Sequence, residues 1–520
     1  MNLDRKSGIL LHPTSLPGPD GIGDLGPEAY RWIDFLAESG TQLWQILPLG
    51  PTGYGDSPYQ CFSAFAGNHY IVNPLMLLEE GLLKISDLKE RPDFPVNEVD
   101  FGPVIIWKTE LLDKAFNTFN AQAEHKLRPE FEGFVKEKQS WIEDYALFMA
   151  IKETQDLRSW TEWPAELKTR DPETLAEIRK QLSASIEKHK FNQFLFFKQW
   201  GKLRDYAHSK GIQIIGDMPF VISMDSADVW ANPELFLLDE ELKPTFVAGV
   251  PPDYFSVTGQ LWGNPLYNWQ VHQESNFAWW VARLRSILEL VDMVRLDHFR
   301  GFAAAWHVPF GNETAIQGEW IHGPAMELFT EFKRNFPNLP IIAEDLGVIT
   351  PDVENLRDSF ALPGMKVLQF AFSGDPEDDF LPHHYPAHCV AYTGTHDNNT
   401  AQGWYNDATD IEQEFCRDYL NFSEPTQAAW TMIRATWQSV ANLSLAPMQD
   451  FLGLATEARF NIPGKMDGNW KWRMGANDLS ADLARSIRKL NLLYSRLSEH
   501  EKQAHTDWLA SHAGDRVKPH

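Results

Sequence analysis

Three acidic residues follow directly on apolar runs, each with ionisable neighbours: Arg295-Leu296-Asp297-His298, Glu344-Asp345 and Thr395-His396-Asp397-Asn398. A carboxylate is costly to bury unless it is paired or put to work, and one at a strand end can also cap the helix that follows. For a single Asp the cap is the simpler reading. Three such places with Arg and His interleaved point instead to chemistry. Retaining glycoside cleavage needs an ionised carboxylate as nucleophile and a second, protonated one as acid, about 5 to 5.5 Å apart across the bond that breaks. Asp297, beside the fixed charge of Arg295, is expected to stay ionised and attack. Glu344, with apolar neighbours and beside Asp345, is expected to keep its proton and serve as acid, then base. Asp397 would bind sugar hydroxyls and stabilise positive charge developing on the ring, with His396 orienting the same sugar.

Groups on three distant stretches must be brought together by a scaffold. Eight short runs rich in Ile, Val and Leu, without period-2 alternation, read as parallel strands buried on both faces. They span 8–16, 42–50, 211–220, 293–299, 339–347, 364–372, 388–394 and 443–454, and most are followed by helical patterns such as PEAYRWIDFLAESG. Eight βα units close a (β/α)8 TIM barrel, an α/β fold whose active sites lie at the C-terminal strand ends. Residues 1–520 are therefore read as a single catalytic domain with two large insertions, between strands 2 and 3 and between strands 3 and 4. The first, 51–190, is expected to be mainly helical. The second, 221–292, contains the Gly-, Pro- and aromatic-rich segment 247–269, which reads as neither helix nor strand and suggests a binding loop. After the eighth strand a helical tail is expected, with no C-terminal β-sandwich.

Composition narrows the partners. With 46 Lys+Arg against 72 Asp+Glu the formal net charge is -26, a field that repels phosphate backbones and anionic lipid. Neither nucleic acid nor a membrane is expected as a partner, and no run reaches the ~18 apolar residues of a membrane span. Neutral sugars meet no such barrier, and 20 Trp supply flat faces suited to their C–H surfaces, although most Trp belong in a core. Cys61, Cys389 and Cys416 are too few and scattered for a disulfide framework, and the N-terminus lacks a signal-peptide core, so a cytoplasmic location is expected.

Gly21, Gly23 and Gly26 satisfy G-x-G-x-x-G, but HPTSLPGPD separates them from the preceding strand and the next strand ends in LPLGP without an acidic residue for a ribose. A glycine-rich loop at the barrel mouth is preferred to a nucleotide site. DPEDDF at 375–380 reads as a solvated turn rather than a calcium cage. The proposed chemistry requires no cofactor or metal.

The chain resembles glycoside hydrolase family 77, relatives of the α-amylases that transfer α-1,4-glucan segments. The motifs that carry the resemblance run along nearly the whole sequence: GILLHPTSLPGPDGIGDLG, WQILPLGPTGYGDSPYQ, GDMPFVIS, VAGVPPDYFSVTGQLWGNPLYNW, VRLDHFRGF, IIAEDLG, TGTHDN and RFNIPGKMDGNWKWR. The resemblance implies Asp297 as nucleophile, Glu344 as acid/base and Asp397 as transition-state stabiliser. It also implies Tyr59 as a stacking platform, with Ser57, Asp217, Arg295 and His396 around the sugar, and Tyr254, Phe255, Gln260 and Trp262 on a mobile acceptor-side loop. Substrates would be maltooligosaccharides and starch- or glycogen-derived α-1,4-glucans, with glucose among the acceptors. Asn399, the AAAW run at 303–306, His69 and Asn73 depart from the family pattern without removing a catalytic group. An α-amylase-type hydrolase on the same barrel is the nearest rival, but it usually carries a β-sandwich after the barrel. A non-catalytic glucan-binding protein would need one of the three carboxylates to be missing, and a nucleotide-dependent oxidoreductase is a remote third.

Overall fold

The computed structural model describes residues 3–252, 256–465 and 467–511. Twelve strands among them are β1 (Lys6–Leu10), β2 (Leu43–Gln45), β3 (Gln213–Met218), β4 (Phe246–Val250), β5 (Gln260–Pro265), β6 (Met293–Leu296), β7 (Ala304–Pro309), β8 (Glu319–His322), β9 (Ile341–Ala343), β10 (Gly364–Val367), β11 (Cys389–Tyr392) and β12 (Leu443–Pro447). Eight pair in parallel in the order β10-β11-β12-β1-β2-β3-β6-β9. The Ala343 N–H donates to Pro363 O, just before β10, at 2.9 Å, which brings the two edges of this sheet together as a nearly closed barrel.

The strands lack alternation because both faces are covered. Leu43, Ile215, Met293, Ile342, Met365, Val390 and Leu443 fill the barrel interior, one from each of seven strands. The eighth strand, β1, contributes Gly8 at this level. A Cβ there would lie 2.8 Å from Leu43 Cβ and 3.0 Å from Leu445 Cγ, so only glycine fits. The opposite faces, with Ile9, Trp44, Ile214, Val294, Ile341 and Ala446, pack into the main core with the surrounding helices. The helix Pro27–Glu38 shows the local logic, since Pro27 pre-sets its first turn and Gly40, at φ +68°, turns the chain toward β2.

Between β2 and β3 the chain forms helices that include Phe101–Asn120, Gln139–Thr154 and the 27-residue Ser183–Ser209. Between β3 and β6 the segment 247–269 differs from its reading as neither helix nor strand. It forms most of β4 and all of β5, which join β7 and β8 in an antiparallel sheet ordered β5-β4-β7-β8. Its glycines and prolines masked the strands, whose partner β7 lies far along the chain. A second correction concerns the tail. Helices Ala481–Leu493 and Glu499–Ser511 do close the described chain, but residues 455–480 contain only a three-residue 3-10 turn, and no further strand follows β12 among the described residues. Within this stretch Asn469 accepts from Ile462 N and donates to Lys465 O, which ties the turn around Pro463 together.

The glycine-rich loop is shaped by packing. A Cβ at Gly23 would lie 2.0 Å from Pro13 O, and one at Gly26 would meet the Asn73 amide at 2.1 Å. Asn73 caps the helix Pro74–Glu79 by accepting from Met76 N and donates to Asp24 at 2.8 Å.

Candidate active site

Each carboxylate is placed at the C-terminal mouth of the barrel by the end of a strand. Asp297 follows β6, Glu344 follows β9, and Asp397 lies five residues past β11. Arg295, on β6 and buried, joins them to a fourth group. Its Nη1 donates to Asp217 Oδ2 at 2.7 Å, to Asp217 Oδ1 at 3.0 Å and to Asp297 Oδ1 at 2.9 Å. Asp217, at the end of β3, is fully buried, and that burial raises its carboxyl to about 6 although Arg295 opposes the rise. The Asp297 and Asp397 side chains remain 26% and 43% exposed, so both are open to a ligand in the mouth.

Glu344 is held by backbone donors. His298 N donates to Oε2 at 2.7 Å and Leu346 N to Oε1 at 3.1 Å. Burial, against the opposing pull of Arg295 and with the charge of Asp297 added, raises Glu344 to about 8, so it is protonated at neutral pH. Asp345 contributes little, since its side chain turns to Arg357 at 2.7 Å and Met365 N at 2.7 Å. His298 adopts φ +47°, a left-handed backbone that is uncommon for a residue with a Cβ, and this turn aims its N–H at Glu344. Burial lowers the His298 imidazole to about 4, so a neutral ring meets Trp262 edge-on at 4.8 Å.

Burial also pushes the Asp397 carboxyl up, but the His396 ring and the Asn461 amide outweigh it and hold it well below the usual range. His396 Nε2 lies 3.2 Å from Asp397 Oδ2, and Asn461 Nδ2 donates to Oδ1 at 2.5 Å. Arg459 Nη2 donates to the Asp397 carbonyl at 2.5 Å. Asn399 ties the same loop down, its amide donating to Asp407 at 3.0 Å and to Thr456 at 2.9 Å. An Asp at 399 would face Asp407 with a like charge, so Asn suits these surroundings.

Tyr59 brings an aromatic face to this group. Its hydroxyl donates to Asp217 Oδ2 at 3.0 Å, its ring stacks on His396 at 5.0 Å, and Trp470 lies 5.8 Å away. Ser57 Oγ accepts from Tyr59 N at 3.2 Å and so fixes the turn that presents the platform. Gln260 Oε1 accepts from Trp262 Nε1 at 3.3 Å, which ties these two β5 residues together. Tyr254 and Phe255 lie outside the described residues. The structure thus gathers Asp297, Glu344, Asp397, Tyr59, Ser57, Asp217, Arg295, His396 and Trp262 around one mouth. It adds His298, Arg459, Asn461 and Trp470, which the sequence reading did not single out although the last three fall in the quoted stretch RFNIPGKMDGNWKWR. Among the described residues no group of three His, Cys, Asp or Glu is placed to hold a metal ion.

A barrel whose mouth holds a cation-paired carboxylate, a protonated carboxyl and a third carboxylate beside an aromatic platform defines a class of enzymes acting on glycosidic bonds. Comparison with known proteins resolves the class. Residues 11–478 match the model of glycoside hydrolase family 77, described as 4-alpha-glucanotransferase, and the chain belongs to this family. It is 49% identical over 504 residues to the 4-alpha-glucanotransferase of Thermus thermophilus, covering 96% of this chain and 100% of that one. The chloroplastic/amyloplastic 4-alpha-glucanotransferase of Solanum tuberosum is 43% identical over 503 residues, 95% of this chain and 87% of its own length. The structure of amylomaltase from Streptococcus agalactiae in complex with acarbose superposes with a TM-score of 0.92 at 39% identity, covering 95% and 100% of the two chains. The activity of this chain is glucan transfer, that of a glycosyltransferase acting on hexosyl groups.

Proposed function

We propose that Asp297 is the nucleophile, Glu344 the acid and base, and Asp397 the stabiliser of the distorted sugar, acting on α-1,4-glucans such as maltooligosaccharides. The observation that carries this reading is the contrast between neighbours: Asp297 pairs with Arg295 at 2.9 Å, whereas burial and nearby negative charge raise Glu344 to about 8. Asp297 attacks the anomeric carbon while Glu344 gives its proton to the departing glycosidic oxygen, leaving a glucosyl ester on Asp297. The Glu344 carboxylate then takes the proton from the 4-hydroxyl of an acceptor glucan or glucose as that oxygen displaces Asp297. Asp397, kept ionised by His396 and Asn461, faces the positive charge that develops on the ring. Tyr59 lies flat beneath the sugar, with Asp217 and His396 holding the ring in place.

Transfer rather than hydrolysis needs an acceptor at high effective concentration and water kept out. Trp262, brought to the mouth through its contact with His298, supports a role for the β4–β5 loop in that choice, together with Gln260, Tyr254 and Phe255. Three free cysteines agree with a reducing, cytoplasmic setting. Incubation with maltotriose tests the reading: a ladder of longer and shorter maltooligosaccharides is expected, and glucose with maltose alone would refute it. Trp262→Ala should release more free reducing sugar per transfer event, and an unaltered ratio removes the loop from the account.

A further inference from the structure

The loop that carries His396 and Asp397 runs from Thr393, directly after β11, to Ala401, where the helix Ala401–Asp407 begins. Its middle is tied down by contacts close to Asp397. Asn398 Oδ1 accepts from Thr395 N at 2.9 Å and from Thr395 Oγ1 at 2.8 Å, and Asp397 N donates to Thr395 Oγ1 at 3.3 Å. Gln369, just past β10, donates through Nε2 to Asn399 O at 2.9 Å. Gly394 lies so close to this amide that a Cβ there would meet Nε2 at 2.5 Å.

Both ends of the loop converge on one side chain. Asp450, three residues past the neighbouring strand β12, accepts from Thr393 Oγ1 at 2.6 Å through Oδ2 and from Ala401 N at 2.7 Å through Oδ1. Asp450, Thr393 and Ala401 are all fully buried, so water cannot take over either bond. A carboxylate is a costly residue to bury, and burial raises this one to about 6 against the pull of Thr393 and Ala401. Neither contact brings a counter-charge. A helix cap alone would engage one oxygen, whereas here the second oxygen reaches the strand end. The carboxylate therefore sets the distance between the two anchors of the loop, through two short charge-assisted bonds.

We propose that Asp450 is a positioning residue for Asp397: by clamping Thr393 to Ala401 it holds the loop in the shape that keeps the Asp397 carboxylate 3.2 Å from His396 Nε2 and facing the sugar. This rests on the proposed role of Asp397 as stabiliser of the distorted sugar. Asp450 acts through the ends of the loop, so its removal leaves Asp297, Arg295 and Glu344 in place and is felt at Asp397.

Initial rates of maltotriose disproportionation by the full chain test the clamp. Asp450→Ala is expected to lower kcat about 100-fold with KM nearly unaltered, because Asp397 acts in the transition state. Asp450→Asn can accept from Ala401 N through its amide oxygen and donate its NH2 to Thr393 Oγ1, so both anchors survive and kcat should return to within a few-fold of the parent. Thr393→Val cuts one anchor and should cost about tenfold alone but little more in the Asp450→Ala background. The acid limb of the kcat/KM profile should also move to higher pH in Asp450→Ala, since an Asp397 displaced from His396, Asn461 and Arg295 takes up a proton more readily; loss of the Asp450 charge alone would move it the other way. A parent-like kcat in Asp450→Ala, a loss confined to KM, an unmoved acid limb, an Asn variant no better than Ala, or a full further loss in the double variant overturns the clamp. If Asp450→Ala does not fold, Thr393→Val decides, and a parent-like kcat there overturns it. Asp397→Asn with a parent-like kcat refutes the stabiliser role itself, whereas a loss in Asp397→Asn without one in Asp450→Ala refutes the clamp alone.

Discussion

Glu344→Gln removes the group whose proton the chemistry uses while keeping the side-chain shape. In the parent, a carboxyl near 8 is about nine-tenths protonated at pH 7 and about one-tenth at pH 9, so kcat/KM should fall roughly tenfold per unit above pH 8. The amide cannot accept from both His298 N and Leu346 N, so one of these donors meets an NH2 group, at a cost of about 1 kcal/mol. Loss of acid–base assistance should lower kcat by about 10²- to 10⁴-fold. Initial rates of glucose release from maltotriose between pH 5 and 10 test this, with kcat/KM reporting the free enzyme. An alkaline limb that persists in Glu344→Gln, or one in the parent centred near pH 5, refutes the reasoning. Stability carries a second signature. Glu344 is raised in the folded state, so its contribution is fully present below the unfolded carboxyl value and is lost as pH rises through 8. The melting temperature of the parent should therefore fall relative to that of Glu344→Gln between pH 5 and 9.

Two further outcomes follow from single contacts. Asn461→Ala removes the 2.5 Å bond that helps keep Asp397 ionised, so kcat/KM should fall about 10- to 100-fold and the acid limb of the pH profile should move to higher pH; an unmoved acid limb would show that Asn461 does not tune this carboxylate. Gly8→Ala forces a Cβ against Leu43 and Leu445 inside the barrel, and chemical denaturation should show a loss of about 1 to 3 kcal/mol. An unaltered denaturation midpoint would mean that the interior yields more readily than its packing indicates.

The barrel strands were readable because each is a local signal, a short apolar run that needs no partner to be recognised. The second sheet was not, since β4 is completed by β7 and the GVPP and TGQ sequences where β4 ends and β5 begins look like turns until that partner is present. The carboxylates followed from residue type and position. The charge on each depends on neighbours from other strands. Arg295 could be placed beside Asp297 from the sequence, since they are two residues apart on one strand, but its stronger tie to Asp217 lies 78 residues away. Asn461 reaches Asp397 across 64 residues, from a segment read as part of a helical tail. The His298 N–H leaves no trace in side-chain type at all, because it depends on a left-handed backbone set by the fold.

The division of labour among the three carboxylates is tested most directly by trapping the covalent intermediate. Glu344→Gln, incubated with α-maltosyl fluoride, should form the glucosyl ester without needing an acid and then resolve it slowly for lack of a base. Proteolysis and mass spectrometry should place a maltosyl adduct on the peptide that contains Asp297. An adduct on Asp397 or Asp217, or turnover with no adduct at any time, would contradict the account.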